Sequence, residues 1–111
     1  MLRLLARFYI GSDAFGRLQD TLAKSRAGQE YTFARLVQLT KPSSPERLSR
    51  LLTLLEKKGK IKRVVRVESP ANTGGIADFP SFQEVPPEIY DWRQDVNIRV
   101  SPENLRVVYT V

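Results

Sequence analysis

At 111 residues the chain is long enough for one small domain with a single core, burying about two thirds of its extended surface. It has no cysteine and no histidine, which excludes disulfides, thiolate chemistry, most zinc sites and the commonest general base. The net charge of +6 conceals an asymmetry: residues 1–66 carry 15 Lys or Arg against 5 Asp or Glu, and residues 67–111 carry 3 against 7. Such a basic half attracts a polyanion, nucleic acid being the usual one, although any single Lys or Arg is more often just a solvated side chain.

The first ten residues, with Leu2, Leu5 and Tyr9 on one side, predict a short helix ending near Gly11, with a strand as the alternative. Arg3 and Arg7 interrupt this apolar run, which is far shorter than the roughly 20 residues of a membrane span, so no membrane association is expected. The lack of cysteine is compatible with a cytoplasmic location, which is the expectation here. Ser12 or Asp13 is placed to cap a second helix in which Phe15, Leu18 and Leu22 form the buried stripe, Arg17, Asp20 and Lys24 face water, and Gly28 closes the end. After the connector Gln29-Glu30-Tyr31, Thr32 can cap a short helix striped by Phe33, Leu36, Val37 and Thr40, with Arg35 and Gln38 outside. Only Lys41, Pro42 and Ser43 follow before the next helix; with no glycine there, Pro42 is expected to make the bend.

That next helix has two legible ends. Ser44 with Pro45 at the first helical position marks its start, Ser43 with Glu46 being the alternative capping box. Lys57 and Lys58 suit the negative end of the helix dipole, and Gly59 can close it in the left-handed conformation. Leu48, Leu51, Leu52 and Leu55 fall at i, i+3, i+4 and i+7, so Arg47 and Arg50 point the other way. From Ile61 to Val67 the period becomes alternating, a basic β-strand.

Helix, tight turn, longer helix, Lys-Gly-Lys-Ile and a basic strand is the order of a winged-helix domain, and the middle third of the chain resembles that family. The resemblance implies an α+β fold: a winged helix-turn-helix with an N-terminal helical segment and a C-terminal β-hairpin, all one domain over 1–111. The helix-turn-helix would cover about 32–59 and the wing about 61–82, with Ser69 to Gly75 as its tip. It also implies a small strand near residues 29–31 that pairs with the wing hairpin.

Pro80, Pro86 and Pro87 interrupt regular structure after the wing, so Phe79, Phe82, Val85, Ile89, Tyr90 and Trp92 are expected to complete the core as separate anchors, with one helical turn over Pro87 to Trp92. The turn chemistry of Ser101-Pro102-Glu103-Asn104 predicts a hairpin pairing Val96–Val100 with Leu105–Val111 over about 96–111. The second of these strands is apolar on one face and half apolar on the other, so an edge there must be covered; a homodimer built from the two chain ends is one solution.

The materials for catalysis are poor: no spacing joins Asp78, Glu84, Glu88, Asp91 and Asp95 on one confident element, and Gly74-Gly75 lacks the rest of a phosphate loop, so neither enzyme activity nor a cofactor is expected. Two functions remain. One is double-stranded DNA binding by a transcriptional regulator, with Arg47 and Arg50 on base edges or phosphates, Ser43 and Ser44 on phosphate at the helix N-terminus, and Lys60, Lys62 and Arg63 on the neighbouring backbone. The alternative is a protein-interaction module of a larger assembly, using the aromatic, proline-rich segment 79–92.

Overall fold

The computed structural model describes residues 10–71 and 74–111, so most of the helix expected over the first ten residues and part of the expected wing tip lie outside the described residues. The fold is α+β, and it divides into two compact units: residues up to Lys62 together with Tyr109–Val111, and residues Arg63–Val108. No helix among the described residues is long and apolar enough to cross a membrane.

The first unit is mainly helical. Helix α1 runs over Ser12–Lys24, strand β1 over Glu30–Thr32, helix α2 over Phe33–Thr40 and helix α3 over Pro45–Lys57. Its core is made by Ile10, Ala14, Phe15, Leu18, Leu36, Leu48, Leu51, Leu52, Ile61 and Tyr109, so the three predicted helical stripes do point inward. Leu22 and Leu55 are half-buried, each lying at the end of its stripe. Three local expectations are corrected. Helix α1 starts with Gly11 as its N-cap and has no side-chain cap from Ser12 or Asp13. It stops at Lys24, with Ser25 as C-cap, so Gly28 serves the following turn at φ 85° and does not close the helix. Arg17, expected in water, is half-buried, and its Nε donates to the Thr40 carbonyl at 2.7 Å.

That arginine organises the turn between α2 and α3. Lys41 takes the left-handed conformation at φ 48° and ψ 61°, and it bends the chain where Pro42 was expected to. A side chain in that region costs about 1–2 kcal/mol. The Arg17 guanidinium opposes this cost by bonding the carbonyls of Thr40 and Lys41, where it also meets the negative end of the α2 dipole. Ser43 then donates its N–H to the Ile10 carbonyl at 3.1 Å. At the other end of the unit, Gly28 N–H donates to the Val111 carbonyl and Val111 N–H to the Gln29 carbonyl, so β1 pairs with the end of the last strand, β6 (Leu105–Thr110).

The second unit is built from strands. Strands β2 (Lys62–Glu68) and β3 (Gly75–Phe79) form the antiparallel hairpin expected of the wing, with Val65 opposite Phe79 and Val67 opposite Ala77. Val65, Val67 and Val108 are its buried apolar residues. Strand β4 (Glu88–Asp91) pairs antiparallel with β5 (Val96–Arg99), with Ile89 opposite Ile98 and Tyr90 opposite Asn97. This overturns two expectations. Residues 88–91 are strand, not a helical turn, and the hairpin spans 88–99, because β5 pairs with β4 and β6 lies beside β2. Residues 102–104 do turn, as a 3-10 segment with Ser101 and Asn104 in a capping box. The strand at 30–32 is present too, but its neighbour is β6, not a strand of the β2–β3 hairpin. With β1 and β2 as its neighbours, β6 is not an edge strand.

Candidate nucleic-acid interface

Helix α3 is fixed before any ligand is considered. Ser44 is extended, at φ −156° and ψ 133°, and its Oγ accepts the Arg47 N–H at 3.3 Å while Pro45 begins the helix. On one face Leu48, Leu51 and Leu52 are fully buried. Arg47 and Arg50 are exposed, as are Glu46 and Ser49. The helix ends as a left-handed cap: Gly59 adopts φ 73°, its N–H reaches the Glu56 carbonyl, and Lys60 N–H reaches the Leu55 carbonyl. Lys57, Lys58, Lys60 and Lys62 are exposed along this exit, with the buried Ile61 holding the chain between the last two.

Of the expected DNA-binding residues, then, Ser43, Arg47, Arg50, Lys60 and Lys62 are exposed in the first unit. Two differ. Arg63 opens the second unit and is half-buried within β2. Ser44 is half-buried and has its hydroxyl engaged, because besides capping the helix it donates to Glu46 Oε2 at 2.8 Å. The Ser44 hydrogen bond, the Glu46 backbone N–H and the charge of Arg50 all hold the Glu46 carboxyl below the usual carboxylate range. An ionised carboxylate therefore sits at the positive end of α3, where the sequence suggested a phosphate. Sequence reasoning passed over Glu46 as a competitor, although a carboxylate two residues after an N-cap serine is a signal for it. It also passed over Lys41, exposed in the turn, whose left-handed backbone has no sequence signature.

The acidic residues of the second unit do not converge on one site. Arg66 forms a bidentate pair with Asp78 at 2.8 and 3.1 Å, Arg106 pairs with Glu68, and Ser101 donates to Glu103. Asp91 is fully buried at the end of β4. Burial pushes its carboxyl up, but Ser69 Oγ at 2.6 Å, the N–H groups of Arg93 and Gln94 and the Gln94 amide together bring it below the ordinary aspartate value. Tyr90 donates its hydroxyl to Asp95, which raises the phenol above its ordinary value, with burial and the charge of Asp91 adding to the effect. Among the described residues no three acidic groups gather to hold a metal ion. Of the anchors expected to complete the core, Phe79, Val85 and Ile89 are half-buried, whereas three aromatics are largely in water: Phe82 is 53%, Tyr90 50% and Trp92 56% exposed.

No family model matches the chain, and no curated protein or solved structure is similar to it.

Proposed function

We propose that the first unit binds double-stranded DNA as the helix-turn-helix of a winged-helix transcriptional regulator, with α3 in the major groove. The observation that carries this reading is a capped helix in which Leu48, Leu51 and Leu52 are fully buried while Arg47 and Arg50 stand exposed on its other side. Guanidinium groups on a rigid helix can meet guanine edges or phosphates, and the exposed Lys57, Lys58, Lys60 and Lys62 add the sequence-independent attraction to the backbone. Glu46 makes the helix N-terminus a poor phosphate site, so backbone contacts belong to the lysines.

The test is duplex DNA affinity at two salt concentrations, where binding through several phosphates must weaken steeply as salt rises. Replacing both Arg47 and Arg50 with Ala should leave the melting temperature unchanged, and each bidentate arginine–guanine pair removed should cost about 1–3 kcal/mol of binding. Lys62→Ala should weaken binding to all sequences alike and lower the salt slope by about one. Full affinity in the folded double variant would remove α3 from the interface.

A second reading, capture of a protein partner by the 79–92 segment, is favoured by the exposure of Phe82, Tyr90 and Trp92. It becomes the better one if the wild-type protein binds no duplex DNA at low salt.

A further inference from the structure

Two successive carbonyls of β3 are bonded by side chains. Strand β3 is hydrogen-bonded to β2 and ends its sheet. Between the pairs Val67–Ala77 and Glu68–Gly75 it carries one extra residue, Ile76, a β-bulge. A regular strand turns successive carbonyls to opposite sides, but the extra residue breaks that alternation, and both neighbouring carbonyls, of Gly75 and Ile76, are reached from one turn. Trp92 Nε1–H donates to the Ile76 carbonyl at 2.9 Å, and Arg93 Nε–H to the Gly75 carbonyl at 3.0 Å.

The turn that supplies these donors is itself held. Asp91 accepts the N–H groups of Arg93 and Gln94, while Ser69, at the end of β2, donates to the same carboxylate. The Arg93 guanidinium lies 4.5 Å from the centre of the Trp92 ring, a cation–π contact that orders both side chains. Gly74, at φ 111°, leaves room for Arg93: a Cβ there would stand 3.3 Å from the guanidinium carbon. Pro80 follows the last residue of β3 and offers no N–H to a neighbouring strand. Strand edges bare of such devices pair with other chains.

We propose that Trp92 and Arg93 guard the β3 edge, and that without them this edge pairs with β3 of a second copy of the chain. The feature is independent of DNA binding: it rests on strand geometry within the second unit and would hold if α3 bound nothing.

The experiment is sedimentation velocity over a range of concentrations on the wild type, on Trp92→Ala with Arg93→Ala, and on Trp92→Phe with Arg93→Met, the last keeping most of the bulk of both side chains while removing both donors. Each double variant should self-associate at least tenfold more tightly than the wild type. A synthetic peptide of residues 74–80 should bind the variants and suppress that association. Variants with native circular dichroism that stay monomeric, or whose association ignores the peptide, would overturn the proposal. The wild type provides a check that needs no variant. Trp92 is the only tryptophan, so its indole N–H gives a single proton resonance, which should exchange with solvent markedly more slowly than in free indole. Exchange at the free rate would show that the guard does not engage, and would overturn the proposal too.

Discussion

The two units reach order by different physical routes. In the first, most information is local: a stripe of leucines sets each buried face, an N-cap and a glycine set the ends of α3, and the helix would be recognisable from its own thirteen residues. In the second, β6 lies beside β2, a strand far away in the sequence, and polar side chains such as Asp91, Ser69 and Arg66 tie loops and strands together. The contrast teaches where a substitution should hurt. The first unit should fail when apolar volume or a helix cap is removed, and the second when a buried or charged acceptor loses its hydrogen bonds.

The sharpest way to break the comparison is Leu52→Ala. Leu52 is fully buried in the first unit, and the cavity should lower stability by about 2–5 kcal/mol, measured by urea unfolding. Leu55→Ala, at the half-buried end of the same stripe, should cost clearly less. A smaller loss is expected at the helix starts: Ser44→Ala and Thr32→Ala each remove a side-chain acceptor from a helix N–H and should cost about 0.5–2 kcal/mol. In the second unit the corresponding probe is pH. The Asp91 carboxyl lies below its ordinary value when folded, so it contributes stability that is present above the unfolded value of about 3.9 and is lost as pH falls through the folded one. Asp91→Asn should lower the melting temperature at neutral pH and flatten its decline in acid. The smallest effect belongs to Lys24→Ala, whose partner Asp20 is equally exposed at 3.9 Å; a change beyond about 0.5 kcal/mol would be unexpected.

How much was legible follows the same division. The stripes of α1, α2 and α3, the caps at Thr32, Ser44 and Gly59, the β2–β3 hairpin and the outward direction of Arg47 and Arg50 could all be read because period and capping chemistry act within a few residues. The pairing of β5 could not. Ser101-Pro102-Glu103-Asn104 carries strong turn chemistry and does turn, but the strands it joins are not partners. The turn that does join a pair, Trp92-Arg93-Gln94-Asp95, contains neither glycine nor proline; its shape comes from the Asp91 carboxylate and from Asp95 at φ 58°. A turn signal fixes a bend and says nothing about which strand waits beyond it. At the candidate interface, Ser44 was legible as a cap, but its donation to Glu46 was not, because a hydroxyl that accepts from one residue and donates to another leaves no periodic trace.

The route of the chain through β6 has a kinetic consequence. Tyr109–Val111 belong to the first unit although the whole second unit precedes them in sequence, which makes the first unit discontinuous. Its helices can form as soon as residues 12–57 exist, but β1 must wait for a partner that emerges only after Arg63–Val108. On a ribosome the buried Tyr109 would therefore be the last core side chain added to a largely assembled first unit. Closing so long a loop costs little more free energy than closing a short one, yet it raises the contact order and slows the final step.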